Sequence, residues 1–139
     1  MKTYQPKAKD VQRNWHLVDA KDEVLGRVST RISQLLMGKH KVKYANHIDM
    51  GDFVVAINAS KVRLTGKKRD QKVYRGHSGY PGGFKEVTFE KMITEQPEKV
   101  IEKAVFGMLP GNRLRDPRMR RLKVFADGNH RYKDKFKKE

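Results

Sequence analysis

Apolar positions along this chain recur with two different periods. Leu25, Val28, Ile32, Leu35 and Leu36 fall on one face at helical spacing, and Gly38 stands where a helix stop is expected. Val100, Ile101, Ala104, Val105 and Met108 form a second helical stripe. Pro97 opens it at a first-turn position, where its missing N–H costs little, and Gly107 to Pro110 closes it. Between the two, Thr88 is placed to cap a short helix carrying Phe89, Met92 and Ile93. The remaining apolar runs are short: Trp15 to Val18, Phe53 to Asn58, Val73-Tyr74 and Leu122 to Phe125. Phe53-Val54-Val55-Ala56-Ile57-Asn58 is apolar without alternation, the mark of a strand buried on both faces. Such a strand belongs in the middle of a parallel sheet covered by helices, so the pattern predicts a layered α/β domain.

The polar segments divide the chain. Residues 1–14, with Lys2, Lys7, Lys9 and Arg13, read either as an extended arm laid on a surface or as a solvated terminus. Residues 15–128 form the α/β domain, and 129–139 a basic tail without enough apolar surface to fold alone. A chain of 139 residues fits one such domain. Asp19 and Asp22 are expected at the turn and N-cap before the first helix.

Charge changes the picture from fold to partner. The 32 basic residues exceed the 16 acidic ones by enough to give a net charge of +16, which calls for a dense anionic partner, nucleic acid first and an acidic membrane surface second. The excess is concentrated. Lys39-His40-Lys41-Val42-Lys43-Tyr44 is a basic loop with an aromatic beside it, suited to phosphate contact or to plain solvation. Lys61 to Arg75 carries seven basic residues against one acidic, with Gly66 marking a turn, and reads as a hairpin-like basic element. The loop from Gly76 to Gly83 follows, rich enough in glycine for close backbone approach or simple flexibility. Arg113, Arg115, Arg118, Arg120 and Arg121 place five guanidiniums in nine residues against Asp116, a candidate phosphate clamp, since arginine presents a planar fork of donors to phosphate oxygens.

Other chemistry finds little support. Without cysteine there is neither a disulfide framework nor a thiolate site, and no run approaches the 18 apolar residues of a membrane span. The N-terminal segment has no apolar core like that of a secretory signal, so a soluble protein is expected. His16, His40, His47, His77 and His130 are scattered, which argues against a metal site. Phosphate-binding loop and dinucleotide fingerprints are missing. Asp49 and Asp52 are the one carboxylate pair worth testing for a metal-dependent nuclease.

An ordered set of segments now carries a resemblance. Trp15…Val18-Asp19-Ala20, Leu25-Gly26-Arg27, Gly38-Lys39-His40-Lys41, Gly51-Asp52, Leu64-Thr65-Gly66-Lys67-Lys68, Lys72-Val73-Tyr74, His77-Ser78-Gly79, Gly82-Gly83, Gly107-Met108-Leu109-Pro110 and Leu122-Lys123-Val124 resemble, in order, the bacterial and organellar form of the thirteenth large-subunit ribosomal protein family. The resemblance runs from about residue 2 to 130. It implies a single three-layer α/β/α domain with a small, mainly parallel sheet, plus basic loops and a basic tail. It implies a structural constituent of the ribosomal large subunit in the cytoplasm or an organelle, with large-subunit (23S-type) rRNA and neighbouring large-subunit proteins as partners. No catalysis, cofactor, membrane or small-molecule substrate is implied. The chain departs from the family where Leu114 is followed by Arg115-Asp116-Pro117, and again after His130.

The expected RNA-binding residues are Lys39, His40, Lys41 and Lys43; Lys67, Lys68, Arg69, Lys72, Arg75 and His77; and Arg113, Arg118, Arg120, Arg121 and Lys123. They would read backbone trajectory and shape, since A-form RNA hides its base edges in a deep narrow groove. Alanine at Arg118, Arg120 and Arg121 is accordingly expected to weaken RNA binding with little change in stability. The alternatives are a non-specific nucleic-acid compactor and an RNA-processing enzyme using Asp49 and Asp52.

Overall fold

The computed structural model describes residues 3–136. Lys2 of the expected arm and residues 137–139 of the expected tail lie outside the described residues. Among the described residues five strands and five α-helices follow one another as β1 (Trp15–Asp19), α1 (Leu25–Met37), β2 (Phe53–Ile57), α2 (Lys68–Gln71), β3 (Val73–His77), β4 (Phe84–Thr88), α3 (Phe89–Glu95), α4 (Pro97–Met108), α5 (Arg115–Arg120) and β5 (Leu122–Val124). β2 lies between β1 and β5 and runs parallel to both, with Val55 opposite Leu17 on one side and Lys123 on the other. β3 and β4 form a separate antiparallel pair. The fold is α/β, with the small parallel sheet expected.

Alternation along β2 splits the sheet into two faces. Val54 and Ala56 look into the main core with Val18, Val28, Ile32, Leu36, Val100, Ile101, Val105 and Leu122, where α1 and α4 pack on the sheet and on each other. Val55 looks the other way and is also fully buried, so the strand is covered on both faces as its composition predicts. The tail lies on this second face, at the start of β1. Trp15 stacks on Phe53 with ring centroids 4.5 Å apart, Tyr132 stacks on Trp15 at 5.3 Å, and Phe136 meets Trp15 edge-on at 6.4 Å. The described part of the segment expected to lack a fold of its own is therefore seated against β1. Its two aromatic rings supply the apolar area that its lysines conceal from a composition argument.

Three local expectations are corrected. The N-cap of α1 is Val24, not Asp22. Asp19 instead accepts hydrogen bonds from the Lys21 amide (2.9 Å) and Asn58 Nδ2 (2.8 Å), and Asp22 takes a left-handed φ of 57°, so both aspartates build the turn that leaves β1. Secondly, Lys61 to Arg75 is not a hairpin. Its turn at Gly66 leads into α2, and the hairpin lies one segment later, where the glycine-rich loop joins β3 to β4. Thirdly, the tail is seated as described. Gly38 does end α1, with φ of 81°, and a Cβ there would lie 2.7 Å from the Met50 carbonyl oxygen. Thr88 caps α3, and Pro97 opens α4 at its first turn.

Candidate nucleic-acid interface

Two carboxylates lie beneath the basic surface. Asp49 and Asp52 flank Gly51, which passes so close to the end of α1 that a Cβ on it would lie 1.6 Å from the Leu36 carbonyl oxygen. Only glycine fits there, and the close approach fixes both aspartates against α1 and β2. Asp49 receives the Arg121 guanidinium as a two-pronged fork: Nη1 meets Oδ2, and Nη2 lies 2.6 Å from Oδ1. The same guanidinium donates to the carbonyls of Leu36 (3.0 Å), Asp52 (3.3 Å) and Pro117 (3.4 Å). Arg118 is 1% exposed, with Nε 3.7 Å from Asp49 Oδ1. Arg13 donates to the carbonyls of Gly51 (2.6 Å) and Asp49 (3.1 Å), tying the N-terminal arm to the same site.

Asp52 is fully buried and equally occupied. Lys41 Nζ lies 2.5 Å from its Oδ1 and also donates to the carbonyls of Gln12 (2.5 Å) and Met50 (2.8 Å). The Asn14 amide donates to Oδ1 at 3.1 Å, while Nε2 of His16 and of His40 sit 2.7 and 2.9 Å from Oδ2. Burial alone would raise both carboxyls. For Asp49 the hydrogen bonds and charge of Arg121, with Arg13, reverse this; for Asp52 Lys41, His16 and the Asn14 amide do so, and both carboxyls end below the usual carboxylate range.

Histidines scattered in sequence are thus brought to one carboxylate. His16, His40 and Asp52 hold ligand-type atoms within 4.8 Å of one another, the spacing a metal ion would need. The separations are hydrogen-bond lengths, however, and an ammonium occupies the second carboxylate oxygen, so these donors are matched to each other.

The expected binding residues therefore fall into two groups. Arg118 and Arg121 are inside the protein, and Lys41 and His40 are engaged with Asp52, so the five arginines do not lie on one surface. The expectation that alanine at Arg118, Arg120 and Arg121 would change stability little rested on all three lying at the surface, whereas Arg118 and Arg121 are buried beside the half-buried Asp49 carboxylate. Lys39, Lys43, Lys67, Lys68, Arg69, Arg75, His77, Arg113 and Arg120 are exposed, and Lys72 and Lys123 half-buried. They come from the loop after α1, from α2 with the β3–β4 hairpin, and from the α4–α5 region with β5. Arg115, where the sequence leaves the family pattern, lies over the Phe106 ring at 3.9 Å. Sequence reasoning missed Arg13 and His16 as parts of the carboxylate site. Its one usable signal was the pairing of Asp49 with Asp52 around a glycine.

The family model described as "Ribosomal protein L13" matches residues 13–131. The large ribosomal subunit protein uL13 of Clostridioides difficile (strain 630) is 54% identical over 130 residues, covering 94% of this chain and 91% of that protein. That of Salinispora arenicola (strain CNS-205) is 52% identical over 130 residues, covering 94% and 88%. That of Alkalilimnicola ehrlichii is 50% identical over 132 residues, covering 95% and 93%. The match spans β1 to β5 with the carboxylate site and all three basic elements, and the chain belongs to the ribosomal protein L13 family.

Proposed function

We propose that this protein is a structural constituent of the large ribosomal subunit that binds 23S-type rRNA through its phosphate backbone and supports early subunit assembly. It works within the ribosome, in the cytoplasm, beside neighbouring large-subunit proteins. The observation that carries the reading is the separation of the cations. Once Arg13, Lys41, Arg118 and Arg121 are matched internally, three elements of the family's fold still present lysine and arginine outward. Phosphate contacts of this kind supply affinity and set orientation, while the rigid α/β core sets the angle between the three contact elements.

Asp49 and Asp52 do not support a nuclease, since each carboxylate already holds cationic side chains where a magnesium ion would have to bind. The deciding experiment is competition between a folded large-subunit rRNA domain and a random duplex of equal length, at about physiological salt with excess tRNA. A preference of roughly a thousandfold for the rRNA, in the range of specific over non-specific recognition, supports the reading. Equal binding would make the charge a generic polycation and favour the compactor.

A further inference from the structure

The β3–β4 hairpin carries two large apolar rings that the fold does not use. Tyr80 is 75% exposed and Phe84 57%. Other exposed rings have companions, Tyr4 under Lys43 and Phe106 under Arg115, whereas among the described residues neither ring nor cation covers Tyr80 or Phe84. An exposed ring on a loose loop would mean little. This loop is tightly built.

Tyr80-Pro81-Gly82-Gly83 closes with the Gly83 amide donating to the Tyr80 carbonyl at 2.9 Å; proline at its second position and Gly82 at a φ of 71° make it a type II turn. The Ser78 amide donates to the Gly83 carbonyl at 3.1 Å and extends the ladder to the turn. A Cβ on Gly83 would lie 2.0 Å from Ser78 Oγ and 2.8 Å from the Tyr80 carbonyl oxygen, so only glycine permits this crossing. His77 Nδ1 accepts from the Gly79 amide at 2.9 Å, which leaves Nε2 as the outward N–H donor of the neutral ring. Register places His77 directly opposite Phe84, with the Arg75–Glu86 pair next on the same face. That pair is exposed at 3.4 Å and therefore weak, so Arg75 can leave it for a phosphate at little cost.

We infer that the β3–β4 hairpin tip is a stacking platform for an unpaired RNA nucleobase, with Phe84 and Tyr80 as the rings and His77 and Arg75 reaching the adjoining backbone. An aromatic face beside cations, on a turn whose conformation is fixed before binding, matches a planar base joined to a phosphate. Stacking tolerates any base, so the tip adds affinity and anchors one nucleotide without reading sequence. The inference rests on the rRNA-binding reading and deepens it.

The test uses the full chain and a folded large-subunit rRNA domain. Phe84→Ala and Tyr80→Ala should each raise Kd by about 5- to 150-fold, the range for loss of one base stack, with the salt dependence unchanged because no charge is removed. Phe84→Trp should retain the parent affinity, and Phe84→Leu, which keeps an apolar strand residue without the π face, should lose it as alanine does. Base-specific chemical probing should show a nucleotide protected by the parent and by Phe84→Trp but reactive with Phe84→Ala, while hydroxyl-radical protection of the backbone elsewhere persists. Unchanged affinity and base reactivity in the alanine variants would overturn the inference and leave the tip as a surface for a protein neighbour. Retained affinity in Phe84→Leu would likewise overturn it, by reducing the role of the ring to apolar bulk. If the parent itself does not prefer the rRNA over a random duplex, the underlying reading fails instead, so the two failures are distinguishable.

Discussion

Replacing Arg121 by alanine should destabilise the fold, and the structure sets the size of the effect. Arg121 is 7% exposed, and its guanidinium serves the Asp49 carboxylate and three backbone carbonyls from Leu36, Asp52 and Pro117. Truncation leaves a largely buried carboxylate without its principal cation and the Leu36 carbonyl at the end of α1 without this donor. Removing one partner from such a pair costs about 3–5 kcal/mol, much of it the penalty on the abandoned charge. For a domain of this size that lowers the melting temperature by about 10 °C or more. Arg120 provides the control: it is exposed next door, and its alanine variant should lie within about 0.5 kcal/mol of the parent. Thermal and urea unfolding of both variants without RNA measure the difference. Adding Asp49→Asn in a double-mutant cycle isolates the pair, and the two changes together should cost less than their sum. An Arg121→Ala protein that melts with the parent would refute the argument, since the guanidinium would then be as dispensable as a surface charge.

Two further outcomes follow from the same geometry. Asp49 and Asp52 sit below the usual carboxylate range in the folded protein, so the stability they add is complete above the unfolded carboxyl value of about 3.9 and is lost as pH falls through their folded values. Urea midpoints should therefore hold between pH 7 and 5 as far as these groups decide, then drop steeply below about pH 4. Asp52→Asn should start lower and drop less, and an identical acid limb in that variant would contradict the assignment. Tyr132→Ala should uncover Trp15, the chain's single tryptophan, shifting its emission to the red and costing about 0.5–1.5 kcal/mol from the ring pair alone; unchanged emission would show that the tail does not cover β1.

The elements that burial dictates were legible in the sequence, and the pairing of charges was not. Apolar patterning is local: the uninterrupted run of β2 and the stripe of α1 each announce their surroundings within a few residues, and both are found where the pattern puts them. Arg121 and Arg120, by contrast, are adjacent and chemically identical, yet one is buried and the other exposed. What separates them is Asp49, which lies 72 residues away in the chain and meets Arg121 only after β5 pairs with β2. The same holds for His16 and His40, drawn together by Asp52. The tail was misjudged because its lysines dominate its composition, whereas Tyr132 and Phe136 decide its place against Trp15. The hairpin was misplaced by one segment because Gly66 and the later glycines both signal turns, and only strand pairing chooses between them.

The central claim is that exposed cations hold RNA while buried cations hold the fold. The most direct test is the salt dependence of rRNA affinity for the parent and for Lys67→Ala/Lys68→Ala/Arg69→Ala. Each phosphate contact removed should reduce the slope of log K against log salt by about 0.7–0.9, so the triple variant should lose roughly 2–3 units of slope while melting with the parent. A slope equal to the parent's, or a triple variant that unfolds, would contradict the division of labour.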